Sequence, residues 1–192
     1  DEERFASLVL GPGIGSDPLV MKGVRRLLQK TRTPVIIDGD GLKALRNFSF
    51  KKEVSASTVL TPHDGEFESI TGKKVTKDRE QSALRLAETV GAVVLLKGPT
   101  TVVASSEGQI EKIKAGDQRL ATAGSGDVLS GIIGAFLARG ATGFDAASAG
   151  AFIHGELLSE LPKTGVVAGD LDEPLPRLLE RFGVDSQKEN DE

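Results

Sequence analysis

The most informative residues for chemistry are Gly-Ser-Gly-Asp at positions 124–127, which stand before apolar residues with helical spacing. Free N–H groups at a helix start, with no side chain in the way, form a natural anion site. The helix dipole also favours a negative charge on Asp127, which suits a group that accepts a proton or orients a hydroxyl beside a phosphate. The alternative is an ordinary cap, in which Ser125 or Asp127 only satisfies the helix N-terminus.

A second cluster places a lysine at the end of a predicted strand, followed by a glycine and two hydroxyls. Its members are Lys97, Gly98, Pro99, Thr100 and Thr101. The lysine can reach phosphate oxygens as a compact charge while hydroxyl and N–H groups donate to them. A solvated turn is the more common role of such a lysine. The Walker pattern G-x-x-x-x-G-K-[ST] is absent, so the cluster is not a P-loop.

Two glycine-bearing turns follow other predicted strands. In GPGIG at residues 11–15, the glycines around Gly13 let the backbone lie flat against a ligand, although an ordinary turn has the same composition. In DGDG, Asp38 and Asp40 can bind Mg²⁺ through water or cap the following helix. The sequence alone does not choose between these roles.

The chain has two histidines. His63 lies in TPHDGE at the end of a strand, and a histidine in such a polar turn is a candidate for ligand contact. Glu66 stands at the same strand end, and for Asp64 and Glu66 the alternative is that they only cap the next helix. His154 lies within an apolar helix and is expected to be structural. No His/Glu set has the spacing of a zinc site.

These clusters follow short apolar runs that predict strands. Strands are predicted at residues 5–10, 34–37, 58–60 and 92–96, with a hairpin at 101–104 and 109–114. Helices are predicted at residues 17–30, 78–90, 127–139, 144–159 and 170–182. Such alternation favours an α/β fold with a mostly parallel sheet covered by helices on both faces. The clusters would then meet at the carboxyl edge of the sheet, where open α/β sheets bind ligands.

Composition excludes several classes of protein. The 192 residues carry a net charge of −4 with scattered basic residues, which argues against a nucleic-acid groove or an anionic membrane surface as partner. Without cysteine, disulfides and thiolate-held metals are excluded. No apolar run approaches the ~20 residues that span a bilayer, and we expect a soluble cytoplasmic protein. The 23 glycines are about 12% of the chain, against ~7% in average proteins, which indicates close backbone approach.

Five ordered motifs resemble those of the ADP/ATP-dependent NAD(P)H-hydrate dehydratases, the carboxyl-terminal half of the two-domain bacterial NAD(P)HX repair enzymes and members of the ribokinase-like superfamily. The motifs are LGPGIG, VIIDGDGL, LTPHDGEF, LLKGPTTVVA and TAGSGDVLSGIIGA. The likeness runs from about Leu8 to the last helix and includes G-x-V-A-x-D-L at residues 165–171. TPH-x-GE together with GSGD separates this family from sugar kinases better than GSGD alone.

The resemblance implies a repair lyase, which uses ADP or ATP with Mg²⁺ to return hydrated NADH or NADPH to NAD(P)H. It implies phosphoryl transfer to the ring hydroxyl and then elimination of phosphate. Carried over motif by motif, Asp127 is the catalytic residue that meets the hydroxyl, and Gly13 and His63 contact the damaged dinucleotide. The nucleotide-binding residues would be Lys97, Gly98, Pro99, Thr100, Thr101, Gly124, Ser125 and Gly126.

The family's DADAL element is DGDGL in this chain, which keeps both aspartates. The resemblance implies a ribokinase-like domain over residues 1–184 that lacks the N-terminal part of the family domain, followed by a frayed polar tail at 185–192. It further implies a homo-oligomer such as a tetramer and cooperation with an NAD(P)H-hydrate epimerase. The alternative function is a ribokinase-like kinase of a small vitamin precursor that uses the same aspartate as base.

Overall fold

The computed structural model describes residues 4–46 and 58–184, so the tail predicted at 185–192 lies outside the described residues. Six strands form one sheet in the order of the chain. The first four strands are parallel and the last two are antiparallel additions, which confirms the mostly parallel sheet and the hairpin. The strands are β1 (Leu8–Leu10), β2 (Val35–Ile37), β3 (Thr58–Leu60), β4 (Val93–Leu96), β5 (Thr101–Ala104) and β6 (Ile110–Ile113).

Six α-helices and several short 3₁₀ helices connect and cover the described strands. The α-helices are α1 (Pro18–Leu28), α2 (Asp64–Thr71), α3 (Arg79–Val90), α4 (Ser125–Ala138), α5 (Gly143–Glu156) and α6 (Leu175–Arg181). The 3₁₀ helices include Gly39–Leu45, Gln118–Leu120, Leu157–Glu160 and Ala168–Leu171. The single helix predicted over 170–182 is wrong, because a 3₁₀ turn ends at Leu171 and α6 begins only after Pro174. Proline fits the start of a helix but not its interior.

The sheet is buried on both faces, as a parallel sheet requires. In β2, Val35 and Ile37 pack in a core with α1, α2 and α3, whereas Ile36 packs in a second core with α4 and α5. All three β2 side chains are fully buried. This arrangement confirms the expected α/β fold with helices on both faces, and the alternation along β2 fixes the strand's register between the two layers.

A third apolar cluster joins α4 and α5 to the C-terminal segments. Ile132 and Ile153 contribute from the long helices, while Leu171 and Leu178 come from the last 3₁₀ turn and α6. The cluster secures the second layer, including the start of α4, away from the sheet itself. Within residues 4–46 and 58–184, no helix is both long and apolar enough to cross a membrane.

Candidate functional site

The polar loops that follow the parallel strands meet at one edge of the sheet. The amide of Asp38 donates to Leu10 O at 3.1 Å, that of Thr61 to Ile37 O at 3.1 Å, and that of Lys97 to Pro62 O at 2.8 Å. Each loop is therefore joined by a main-chain hydrogen bond to the strand end or loop beside it. The first part of the site is a set of backbone-linked loops at the carboxyl edge, as the strand pattern predicts.

Glycine is required where the first two loops cross. Gly11 has φ +127°, and a Cβ there would lie 1.9 Å from Asp38 O. A Cβ on Gly41 would lie 2.8 Å from both Gly11 Cα and Leu10 O. The two backbones therefore touch, which no residue with a side chain permits at these positions without a shift. This contact sets the distance between the glycine-rich loop and the aspartates of the second loop.

A cavity of about 440 Å³ opens at this edge. Its lining includes Gly13 from the first loop, Asp40 from the second, His63 and Glu66 from the third, and Asp127 from α4. The three residues predicted to meet the substrate, Gly13, His63 and Asp127, thus share one cavity although they are far apart in sequence. Its volume lies within the usual size range of small-molecule sites.

His63 is held by its role at the start of α2. Its Nδ1 accepts from the amides of Gly65 and Glu66 at 3.0 and 3.2 Å, and Glu66 Oε2 accepts from the His63 amide at 2.8 Å. This capping box confirms that Glu66 caps the helix. Because Nδ1 is an acceptor, a neutral ring carries its proton on Nε2. Nε2 lies 3.5 Å from Glu66 Oε1, and the exposed imidazole can present its N–H to a ligand in the cavity while the other nitrogen holds the helix.

Asp38 forms a buried ion pair. Its side chain is 3% exposed, and its Oδ1 lies 2.8 Å from Lys97 Nζ. Ser130 Oγ from α4 donates to the other oxygen, Oδ2, at 3.0 Å. Lys97 Nζ also lies 3.6 Å from Glu66 Oε2. The lysine is therefore oriented by two carboxylates, and Asp38 connects three elements of the site.

The aspartates of DGDG are both engaged by protein partners. Both oxygens of Asp38 have partners, and Asp38 makes no side-chain cap hydrogen bond to the 3₁₀ helix that follows. Asp40 accepts from the amide of Gly15 at 3.0 Å and pairs with Lys43. The hydrogen bond from Lys43, with that from Gly15, lowers the pKa of Asp40 against a smaller effect of burial. The described residues contain no cluster of three or more potential metal ligands from His, Cys, Asp or Glu.

The start of α4 completes the site. Gly124 is left-handed with φ +87°, and the helix has no side-chain cap. The expected alternative, in which Ser125 or Asp127 caps α4, is therefore not observed. A Cβ on Gly126 would lie 3.4 Å from Asp38 Oδ2 and 3.5 Å from Lys97 Nζ, so the ammonium lies against the first turn. An uncapped helix start beside a cation is a site for an anion.

Asp127 and Ser125 point in different directions. Asp127 is exposed and lines the cavity, and within the described part of the chain no hydrogen bond or ion pair engages its carboxylate. Ser125 is 2% exposed, and its Oγ lies 3.0 Å from His154 Nε2 in α5. The two neighbouring residues thus present a free carboxylate to the cavity and a hydroxyl to the protein interior.

His154 is 6% exposed, in agreement with its expected structural role. Burial lowers its pKa to about 4, a hydrogen bond to the backbone of Ser125 opposes this shift, and the charge of Lys97 adds to it. The imidazole is therefore neutral at physiological pH. The sequence indicated that this histidine is inside, but no local signal indicated its contact with Ser125.

The remaining predicted nucleotide residues form a turn that an arginine secures. Arg79 Nη2 donates to Lys97 O at 2.8 Å, and its Nη1 donates to Asp64 Oδ1 at 2.8 Å. A Cβ on Gly98 would lie 2.4 Å from Arg79 Nη2, so glycine makes room for this contact. Pro99 and Thr100 complete the turn and Thr101 begins β5. Sequence patterns did not single out Arg79, since it only opens α3.

A doubly covered, mostly parallel sheet with a glycine-led helix start at its carboxyl edge defines an α/β protein of the ribokinase-like class. A ribokinase-like protein from Enterococcus faecalis has the same fold, with a TM-score of 0.82 at 24% identity over 92% of this chain and 63% of that protein. A family model described as NAD(P)H-hydrate dehydratase matches residues 1–177. The chain therefore belongs to the NAD(P)H-hydrate dehydratase family.

Individual relatives agree with this family. The bifunctional NAD(P)H-hydrate repair enzyme of Moorella thermoacetica is 37% identical over 188 residues, which are 92% of this chain and 36% of that enzyme. A Bacillus subtilis ADP/ATP-dependent NAD(P)H-hydrate dehydratase, co-crystallised with ATP/Mg²⁺, has a TM-score of 0.82 at 30% identity over 92% of this chain and 65% of that structure. The chain spans about a third of the length of the bifunctional relatives it matches.

Proposed function

We propose that this protein catalyses the ADP-dependent dehydration of hydrated NADH or NADPH to the reduced dinucleotide, with AMP and phosphate as the other products. The observation that supports the proposal is the cavity in which Gly13, His63 and Asp127 lie beside the uncapped start of α4. The family membership and the Bacillus dehydratase crystallised with ATP/Mg²⁺ support the same class of reaction.

In the proposed reaction, the ring hydroxyl of the hydrate attacks the terminal phosphorus of ADP, and AMP leaves. Asp127 accepts the hydroxyl proton, since its carboxylate lines the cavity without a partner in residues 4–46 and 58–184. The phosphorylated ring then loses phosphate through cleavage of its C–O bond while a neighbouring ring carbon loses a proton. The second step restores the double bond of the reduced nicotinamide.

The nucleotide would bind on the Lys97 side of Asp127. Lys97 and the amides of α4 supply positive charge and donors for the phosphates, while the turn from Gly98 to Thr101 borders them. Ser125 would take part through its backbone, since its hydroxyl faces His154. We assign Mg²⁺ to the nucleotide phosphates rather than to a carboxylate cluster, because Asp38 and Asp40 already have partners.

The decisive experiment incubates the protein with hydrated NADH and ADP and follows the return of reduced-nicotinamide absorbance. Asp127→Asn should lower kcat by at least about 10²-fold, as removal of a proton acceptor does, while ADP still binds. Glu88→Gln, a change at an exposed position on α3, is the matched control and should leave the rate unchanged. A fully active Asp127→Asn protein would disprove the catalytic assignment.

The alternative function, a kinase of a small vitamin precursor, predicts a different product. It would leave a stable phosphorylated compound, whereas the dehydratase releases free phosphate with AMP. A hydroxyethylthiazole kinase from Pyrococcus horikoshii shares the fold at 17% identity with a TM-score of 0.69, and that likeness concerns the fold alone. Product analysis by phosphorus NMR distinguishes the two reactions.

Four further properties belong to the proposal. We expect a homo-oligomer such as a tetramer, location in the cytoplasm, and a preference for ADP over ATP. We also expect cooperation with an NAD(P)H-hydrate epimerase, since the relatives from Moorella and Mycobacterium leprae are described as bifunctional repair enzymes. Comparison of initial rates with ADP and ATP, and with NADH-hydrate and NADPH-hydrate, measures the preferences directly.

A further inference from the structure

His154 is a buried polar side chain that the proposed reaction does not use. It lies on α5 with 6% exposure, and its Nε2 is 3.0 Å from Ser125 Oγ on α4. Ser125 itself is 2% exposed. The pair therefore forms a hydrogen bond inside the protein, directly behind the turn that presents Gly126 and Asp127.

An imidazole is a costly choice for such a position. Burying a polar ring without a partner is unfavourable, whereas an apolar side chain of similar size would pack there without that penalty. The hydrogen bond with Ser125 offsets the cost, and loss of either partner leaves the other unsatisfied. The pair is thus a polar contact between two helices that also share apolar packing, such as that of Ile133 and Ala147.

The position of His154 on α5 is constrained by close packing of that helix. A Cβ on Gly155 would lie 2.4 Å from the carbonyl carbon of Ala115, and one on Gly150 would lie 2.6 Å from Ile133 Cγ1. At both glycines, α5 therefore packs closely against its neighbours. His154 lies between a close contact with α4 at Gly150 and a close contact with the segment after β6 at Gly155.

The α4 end, in contrast, has few side-chain constraints. Gly124 is in the left-handed region and the helix has no side-chain cap. The first turn has main-chain bonds from Ser125 N to Thr122 O at 3.2 Å and from Asp127 N to Gly124 O at 3.0 Å. Among the side-chain hydrogen bonds of described residues 124–127, the contact of Ser125 with His154 is the one that reaches another element.

We propose that His154 is a positioning residue, which through Ser125 fixes the first turn of α4 so that the Gly126 amide faces the nucleotide phosphate and the Asp127 carboxylate faces the substrate. The assignment of these two ligands rests on the proposed function. The positioning itself is a statement about α4 and has a readout that needs no ligand.

The test compares four single variants and one double variant. His154→Phe and Ser125→Ala each remove the hydrogen bond, whereas His154→Gln places an amide where Nε2 lies and Ser125→Thr keeps the hydroxyl. His154→Phe and Ser125→Ala should each raise the Kd for ADP about tenfold, the effect of one lost buried hydrogen bond. The double variant should be no worse than either single variant. His154→Gln should restore most of the affinity.

A purely structural histidine gives a different result. His154→Phe would then lower the melting temperature without changing the Kd for ADP or the KM of the hydrate, and His154→Gln would give no selective rescue. That outcome overturns the proposal. Additive losses in the double variant also overturn it, because they would show that the two side chains act independently.

Amide hydrogen exchange separates this proposal from the proposed function. In the unliganded protein, His154→Phe should increase exchange at residues 124–127 by about tenfold, while amides in the second half of α4 remain protected. If the protein neither binds ADP nor dehydrates the hydrate, the proposed function fails, yet this exchange result still supports the positioning role. Unchanged exchange at residues 124–127 overturns the role whatever the activity.

Discussion

At the scale of single residues, the charge on Lys97 determines how the site receives an anion. Its ammonium is shared between Asp38 at 2.8 Å and Glu66 at 3.6 Å, and the side chain is only 22% exposed. A phosphate that enters must therefore compete with carboxylates for this cation. The arrangement holds the lysine in place before a ligand arrives, which lowers the cost of ordering it on binding.

His154 predicts a dependence of stability on pH. The folded protein holds the imidazole neutral with a pKa of about 4, below the usual 6.5 of a histidine, so the unfolded chain binds more protons between these values. Stability from this residue is complete above pH 6.5 and is lost as the pH falls towards 4, by about 3 kcal/mol in total. Urea unfolding from pH 7.5 to pH 4.5 should show the loss.

The control for this prediction is His154→Gln, which cannot titrate. Its free energy of unfolding should fall less steeply with decreasing pH, and the difference in slope isolates the histidine from the carboxylates of the chain. Parallel pH profiles for the two proteins would mean that His154 does not account for the acid sensitivity.

Several site residues were predictable from their own motifs, and others were not. Gly13, His63 and Asp127 were predicted as ligand contacts because they follow strands or begin a helix. The structure brings all three to one cavity. The partner of Asp38 could not be found in this way, since Lys97 is 59 residues away in the chain. Pairs that are distant in sequence, such as Ser125 and His154, are brought together by packing, and a local pattern cannot predict them.

At the scale of elements, α4 contains two glycines with different surroundings. Gly126 stands against Asp38 and Lys97, while Gly131 is exposed and a Cβ there would meet nothing within 4 Å. Gly131→Ala should stabilise the protein by about 0.5–1 kcal/mol through helix propensity without an effect on ligands.

Gly126→Ala should fold as well, because its Cβ would make ordinary contacts at 3.4 and 3.5 Å. We expect it to weaken ADP binding about tenfold or more, since a methyl group would stand beside the amides and ammonium that face the phosphate. Thermal unfolding and calorimetric titration of both variants measure the two effects. Equal ADP affinity in the two variants would show that the nucleotide does not bind beside Gly126.

The boundaries of helices and strands were predictable where a turn residue or a capping residue marks the end of the element. β3 was predicted at its observed residues 58–60, and Asp78 N-caps α3, which begins one residue after the predicted start. The error at 170–182 arose from apolar spacing that continues across two different elements. Leu171 and Leu178 share one core, so the spacing reports common burial rather than one helix, and Pro174 marks the real break.

At the scale of the whole molecule, β1 forms one edge of the described sheet. It pairs with β2 alone among the described strands, and Val9 and nearby Phe5 are 43% and 58% exposed. An apolar strand edge favours pairing with another chain. We therefore expect a further strand to pair with this edge, and in a solution of the 192-residue chain alone that strand would come from a second copy.

Val9→Lys should shift the chain towards monomer in light-scattering measurements across a concentration series, because a charged side chain opposes edge pairing. Val20→Lys is the matched control, since Val20 is 39% exposed but lies on α1 away from the edge. Equal association of the two variants would exclude β1 as the contact.

The order of strands in the sheet, which is also their order in the chain, has a consequence for folding on the ribosome. β2, β3 and β4 can each dock beside the strand made just before, so the apolar layers can grow as the chain emerges. The anion site cannot form in this way, because it needs the start of α4. That helix packs against α5 and the C-terminal apolar cluster. The proposed nucleotide site therefore forms only after α5 has been made, and a nascent chain stalled before α5 would hold the parallel strands without that site.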